Sequence, residues 1–440
     1  MNRPRFITAM TRSALGICLG VALARGASAQ LVSGSAQSLS LADNYTALAR
    51  GFNAVNWNPA NLGQPGNPLF SFGFAGRGSG GMEPISLGDL SQYSGVQLPN
   101  AVINQWLARV KASGGQSLEA EGTGSFAMSI GSFAFQVATN GYERGKLSPD
   151  AVEVLLYGNA GQTGTPRTMS LQGSRTEAAL TTAAAASFGQ GVDIGIGPIN
   201  QHFSVGVTVK YIVGNALLLG EDAGSTIDAN PLALDVKFPI IQSDTSLTGM
   251  PKRGQGVGVD LGAAWSAGPL AIGATIQNFV NTFRWNVNEM YFRPGGAIFS
   301  TSGSRTTDFD AVGMTQVPDS LKATAAALGA QIDAMRFRPS LNVGAAMRVL
   351  PFLTAMADVR QELGSGMHLA ERTHVGAGAE LRIIPFLPIR AGLAAISGGY
   401  LASAGAGLDL FVLHVNAAVA ARKTEFGQFP SAALTVSFGQ

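Results

Sequence analysis

Residues 201–213 run Gln-His-Phe-Ser-Val-Gly-Val-Thr-Val-Lys-Tyr-Ile-Val, and this alternation constrains the fold more than any other feature of the chain. Phe203, Val205, Val207, Val209, Tyr211 and Val213 fall on one face, and His202, Ser204, Gly206, Thr208 and Lys210 on the other. Successive strand side chains point to opposite faces, so a period of two reads as β. The pattern returns at Phe70/Phe72/Phe74, Val257/Val259/Leu261, Leu270/Ile272/Ala274/Ile276, Val375/Ala377/Ala379/Leu381, Val415/Ala417/Val419 and Leu434/Val436/Phe438. The second faces are Gly, Ala, Ser and Thr with isolated charges at Lys210, Asp260, Arg348, Glu380 and Arg382. A sandwich would bury its apolar face and turn a densely charged one to water. A small, weakly polar second face instead fits a wall with lipid outside and a lumen inside.

The connections agree. Short turns (Gly131-Ser132, Gly197-Pro198-Ile199-Asn200, Gly268-Pro269, Leu350-Pro351, Ile384-Pro385) alternate with long irregular links. Setting the tight turns on one side predicts strands near 68–77, 119–130, 132–141, 171–195, 201–216, 256–267, 270–283, 338–349, 352–363, 372–383, 387–397, 400–410, 411–422 and 431–439. The expected fold is therefore all-β: a transmembrane antiparallel β-barrel of about 14 strands with both ends on the periplasmic side and the long links outside. The links carry small helices. "SPDAVEVLLYGN" has Ser148 as N-cap, Pro149 in the first turn and a Val152/Leu155/Leu156 stripe, with Gly158 as the stop. "PNAVINQWLARVKA" aligns Ile103, Trp106, Leu107 and Val110, and "PDSLKATAAALGAQIDAM" aligns Leu321, Leu328, Ile332 and Met335. The plain account of such stripes is packing on the barrel rim. The functional alternative is an apolar ligand groove formed by Ile103, Trp106, Leu107, Leu155 and Leu156.

The N-terminus has the form of a cleaved signal peptide over residues 1–29: Arg3, Arg5 and Arg12, an apolar stretch from Ala14 to Ala24, then Ala27-Ser28-Ala29. Its removal takes four of the 29 Lys and Arg and none of the 27 Asp and Glu, so a net charge of +2 becomes −2. The basic balance thus gives no argument for nucleic acid. Cys18, the single cysteine, leaves with it, removing thiolate chemistry from the mature chain. Hydrophobic residues make up 46% of the sequence, yet no later run approaches the ~18 apolar residues of a membrane helix.

Few motifs carry chemistry. Gly76-Arg77-Gly78-Ser79-Gly80-Gly81 satisfies G-x-G-x-x-G, but Glu83-Pro84 follows where a helix should begin, so it reads as a flexible loop. His202, His368, His374 and His414 are scattered without ligand spacing, so no metal, cofactor or catalytic set is expected. Lys210, Asp260, Glu380 and Arg382 are expected as lumen polar residues that pair and stiffen the barrel.

Residues 30–67 remain, an oddly turn-rich approach to the first strand. In Trp57-Asn58-Pro59-Ala60-Asn61-Leu62-Gly63, Asn58 caps a one-turn helix, Pro59 presets its first φ and Gly63 ends it. A second short helix is expected with Tyr45 and Leu48 on one side and Gly51 as stop. Too short to be a domain, the segment fits best folded into the lumen of the 68–440 barrel as a hatch or plug. Here the chain resembles the FadL-type family of outer-membrane transporters for fatty acids and aromatic hydrocarbons, whose mark is an Asn-Pro-Ala motif before the first strand, matched by Asn58-Pro59-Ala60. "YTALARGFNAVNWNPANLG" and "LPIRAGL…SAGAGLDL" are closer to an uncharacterised branch near the PorV-like proteins. The resemblance implies a fourteen-strand barrel, a hatch of Trp57, Asn58, Pro59, Ala60 and Asn61, and an apolar pocket. It implies location in the bacterial outer membrane, contact with outer-membrane lipid and passive transfer of a hydrophobic small molecule. The PorV-like alternative is a scaffold or shuttle binding a secreted or surface protein through links 78–118, 217–255 and 284–337.

Overall fold

Fourteen strands hydrogen-bond in a closed ring, each antiparallel to its neighbours. They are β1 (Phe70–Glu83), β2 (Gln116–Ile130), β3 (Phe133–Leu147), β4 (Arg175–Ile194), β5 (Gln201–Glu221), β6 (Gly254–Ala267), β7 (Leu270–Asn281), β8 (Ser340–Leu350), β9 (Leu353–Glu362), β10 (Thr373–Leu381), β11 (Ile389–Ile396), β12 (Gly399–Leu410), β13 (Leu413–Thr424) and β14 (Gly427–Phe438). The ring closes where β14 meets β1, from Phe72 opposite Phe438 to Ser79 opposite Ser431. This computed structural model describes residues 33–439 apart from 159, 166, 195–199, 230–231, 244–252, 302, 304, 365, 368–371 and 425–426. The expected signal segment, Cys18, the turn at 197–199 and His368 lie outside the described residues.

The two faces differ as the alternation requires. Outside, Val205 and Leu393 are 52% and 65% exposed; inside, Ser204 and Thr208 are 1% and 0% exposed. An apolar belt turned outward around a polar, filled interior is stable only against hydrocarbon, so the barrel spans a membrane. Aromatic pairs gather near the short-turn end: Phe72 stacks on Phe438 at 4.9 Å between centroids, and Phe133 meets Phe188 at 4.9 Å. Among the described residues no helix is long and apolar enough to cross a membrane; the strands do the crossing.

Two expectations change. Gly76–Gly81 is no flexible loop: it forms the second half of β1, paired with β2 as far as Glu83 opposite Ser117. Gly76, Gly78 and Gly80 continue the outward face of Phe70, Phe72 and Phe74, while Arg77 turns inward; the ladder with β2 runs the whole length and that with β14 as far as Ser79. The expected helix over Tyr45 and Leu48 is a single turn, with the N–H groups of Leu48 and Ala49 both donating to the Tyr45 carbonyl. The helix lies earlier, at Ala36–Ser40.

At the long-link end, the helices Asn100–Ala112 and Pro149–Tyr157 pack together, with Ile85, Trp106, Val110 and Val152 as their buried centre. A third helix, Lys322–Ala334, buries Leu328 and Ile332 with Phe283, Trp285 and Phe292 over the rim of β5. A separate five-stranded sheet, built from 169–170, 226–229, 232–237, 296–300 and 305–308, stands in the same links.

Candidate functional site: a plugged lumen and a charged cavity

Residues 33–64 occupy the interior, in the half nearer the short turns, and almost every one is buried. Pro59–Gly63 form a single 3₁₀ turn. The Asn58 carboxamide oxygen accepts the Ala60 N–H at 3.0 Å, while its Nδ2 donates to the Ala263 carbonyl of β6 at 2.9 Å. One side chain thus caps the turn and pins it to the wall. Asn61 Nδ2 donates to the Thr46 carbonyl at 2.9 Å, tying the two halves of the plug. Ala60 is fully buried, and Trp57 stands edge-on to Tyr45 at 6.0 Å, packing the plug on itself.

The wall makes room for this turn with glycine. A Cβ on Gly206 would lie 2.3 Å from the carbonyl carbon of Pro59, and one on Gly262 would lie 2.1 Å from Asn58 Oδ1. Real Cβ atoms do not approach so closely, so these positions admit nothing larger. Farther round, Gly392 receives the backbone of Leu41 in the same way.

Polar groups then latch plug to wall. Arg77 of β1 reaches both oxygens of Asp43, the Thr46 N–H donates to Asp358 of β9 at 2.8 Å, and Asn44 Oδ1 meets His374 Nε2 of β10 at 3.1 Å. Gln277 of β7 donates to the Asn56 carbonyl at 2.6 Å. His202 joins Asp193 to the Gly63 carbonyl at 2.8 and 2.7 Å. The described histidines are therefore spread over different tasks: His202 and His374 hold the plug, and His414 pairs with Asp409. Within the plug, burial lowers the Arg50 guanidinium to about 10.

The four expected lumen residues separate into two clusters. Lys210 is almost fully buried and donates to Asp260 at 2.6 Å and to Asn278 at 2.8 Å, between β5, β6 and β7. Glu380 and Arg382 sit on the opposite wall near the short turns, where Glu380 accepts from Arg382 at 2.7 Å and from Arg390 at 2.6 Å. Arg382 also pairs with Asp409 at 2.9 Å. Alternation along single strands placed each residue; only closure of the ring decides which strands face one another.

Between the plug and the long-link rim lies a cavity of about 730 Å³. The resemblance implies an apolar pocket; most of the lining surface is apolar, but charged groups are set into it. Seven Lys and Arg side chains and four Asp and Glu side chains line this cavity, with Trp57, Leu118, Leu401 and Phe429 as its main apolar surface. Glu119 pairs with both Arg144 and Arg422 at 2.7 Å. Apart from Asp43 of the plug and its partner Arg77, the charges come from the outer parts of the strands and the residues beside them.

Of the residues expected to form a groove, Trp106 and Leu107 are buried within the packed links, Ile103 and Leu156 are half-buried, and Leu155 is exposed. The stripe on Pro149–Tyr157 also buries Glu153, which pairs with Lys111 at 2.9 Å and Arg167 at 3.0 Å. Burial would raise the Glu153 carboxyl, but the Gln162 N–H and Lys111 outweigh it and hold it below the usual range. Asp150 is held low chiefly by its hydrogen bond from Arg167.

Sequence reasoning missed Arg77, Asp358 and Arg360. The signal was present, since Asp358 and Arg360 are two apart on one inward face, but no long-range partner for them can be read from one strand.

No family model matches the sequence, and no curated protein matches it. Solved structures share the fold over nearly the whole chain. The Ralstonia pickettii toluene transporter TbuX is 14% identical, over 91% of this chain and 96% of its own, with a TM-score of 0.51. A mutant of the TodX monoaromatic hydrocarbon channel is 12% identical, over 92% and 99%, with a TM-score of 0.51. A Pseudomonas aeruginosa FadL homologue is 11% identical, over 94% and 99%, at 0.49. At such identities the likeness concerns the fold.

Proposed function

We propose that this chain is a plugged outer-membrane channel through which a small hydrophobic molecule crosses passively. The observation that carries the reading is the construction of the plug. It is continuous with β1 but docked on wall glycines and held by side-chain hydrogen bonds and the Arg77–Asp43 ion pair instead of strand ladders, so it can shift without breaking the barrel's own ladders. The barrel shares its fold with channels named for toluene and monoaromatic hydrocarbons. That likeness supports a hydrophobic cargo, as does the aromatic surface that Trp57 and Phe429 give the cavity. The loop helices, which leave Leu155 exposed and Ile103 and Leu156 half-buried over the packed Trp106 and Leu107, would gather the molecule, the cavity would hold it, and the segment 30–67 would act as the hatch. Asn58 and Pro59 set the hatch conformation.

The test is conductance in planar bilayers. Deleting residues 30–62 should turn a nearly closed barrel into a stable open pore; unchanged conductance would sink the hatch assignment. Native mass spectrometry of gently extracted protein supplies the second arm. A retained apolar small molecule supports transfer, whereas a stoichiometric protein partner in crosslinked pull-downs would move the reading to the surface scaffold.

A further inference from the structure

The cavity carries a chemistry that a hydrocarbon does not need. Asn342, Arg360 and His374 lie side by side across β8, β9 and β10, with Asn342 opposite Arg360 and Arg360 opposite His374. All three line the cavity, and each holds a buried polar atom without a hydrogen-bond partner: Asn342 Oδ1, Arg360 Nε and His374 Nδ1. Two more such atoms, Asn56 Oδ1 and Trp57 Nε1 of the plug, belong to residues lining the same cavity. Buried polar atoms are normally satisfied, so several orphans converging on one space mark a place where hydrogen-bonding groups belong.

Charge names the kind of group. The four lining carboxylates include Asp43, Glu119 and Glu121, and these are already engaged by Arg77, Arg144 and Arg422. Among the described residues, Lys146, Arg175, Arg360 and Arg372 make no ion pair within 4 Å although they line the same cavity; Arg360 and Arg372 share only the longer-range field of Glu362, and Arg360 that of Asp43. A surplus of guanidinium groups in a confined lumen attracts carboxylates, which they bind through paired, charge-assisted hydrogen bonds. More than half of the lining surface is apolar, and its largest apolar side chains include Trp57 of the plug and Leu401 of β12.

From this arrangement we propose that the cavity binds an amphipathic organic anion, an aromatic acid in preference to an uncharged aromatic hydrocarbon, with its carboxylate at Arg360 and Arg372 and its ring toward Trp57. The inference rests on the channel reading and narrows the cargo class. Trp57 and Asn56 belong to the plug, so the same molecule would touch the movable element directly.

Isothermal titration of the detergent-purified mature chain tests it, with benzoate, benzamide and toluene as probes. Benzoate should bind saturably and at least about tenfold more tightly than benzamide or toluene, weakening as salt screens the arginines. Arg360→Gln, and Arg360→Gln combined with Arg372→Gln, should each weaken benzoate by about tenfold or more while leaving the toluene signal unchanged. The comparison of probes and the salt series use the unaltered chain, so they stand even where a variant fails to fold. Absence of saturable benzoate binding, or equal binding of benzamide or toluene, overturns the proposal. A chain that opens on plug deletion without preferring benzoate loses this inference and keeps the channel reading. A chain that prefers benzoate but shows no plug-dependent conductance does the reverse.

Discussion

One guanidinium nitrogen of Arg77 on β1 contacts both carboxylate oxygens of Asp43 in the plug, at 3.0 and 2.8 Å. The two residues are 34 positions apart, and their contact forms only when the first strand closes around the segment that precedes it. Both side chains are largely shielded from water. Removing one partner leaves the other as a lone charge in the lumen, which costs more than the pair itself contributes.

Arg77→Ala or Asp43→Ala should therefore loosen the plug by about 2–3 kcal/mol while sparing the strands. The expected readout is more frequent opening in single-channel records, with an unchanged heat-modifiable barrel band on gels. The charge swap, Arg77→Asp with Asp43→Arg, should recover part of the closed time. No change in opening for either single variant would show that this contact does not hold the plug.

Gly206→Val and Gly262→Val place a branched side chain where the Asn58–Pro59 turn now lies, with a Cβ only 2.3 or 2.1 Å from plug atoms. The wall positions keep their ladder partners, so the barrel should assemble and the plug should be displaced. Hydrogen exchange across 58–63 should rise sharply in both variants. Exchange at the wild-type rate would mean that the turn tolerates the bulk.

Lys210→Met alone leaves Asp260 charged, buried and short of its cation, and should destabilise the barrel by about 3–5 kcal/mol. Combining it with Asp260→Leu should return much of that loss, because two apolar groups of similar volume need no solvation. Unfolding in urea from detergent micelles reads both. Equal losses for single and double variants would show that the pair does more than neutralise itself.

Acid should melt the cap formed by the loop helices before it opens the barrel. Asp150 and Glu153 are both held below the usual carboxylate range. Depressed values in the folded state mean that their bonds to Arg167 and Lys111 contribute fully above the unfolded pKa. That contribution is lost as pH falls through the folded values, below about pH 4. Proteolysis between 149 and 157 at pH 3 with an acid protease should outpace cleavage at pH 5. Equal rates would show that the two carboxylates do not hold the cap.

Much of this protein is legible from a single strand. Alternation at 201–213 separated lipid face from lumen face without any neighbour, because the pleat alone assigns each side chain its side. The tight turns set the ring at fourteen, and Asn58 with Pro59 described a capped turn that the structure repeats bond for bond. The short helix near Tyr45 and the loop at Gly76–Gly81 were misread for one reason: both depend on partners elsewhere. Glycine in isolation reads as looseness. Between two hydrogen-bonded neighbours the same glycines are held in a ladder that no single strand reveals.

Local chemistry thus determined what can be decided within about ten residues: strand period, turn, cap, and which side of the wall each side chain takes. The tertiary structure decided which inward faces oppose one another. That choice brought Asp43 to Arg77 and Asn58 to Gly262, and it set Arg360 between Asn342 and His374. It also gathered seven Lys and Arg side chains around a cavity expected to be purely apolar. The physical reason is closure. A barrel's interior is the sum of faces from every strand, so its shape and charge exist only once the last strand pairs with the first.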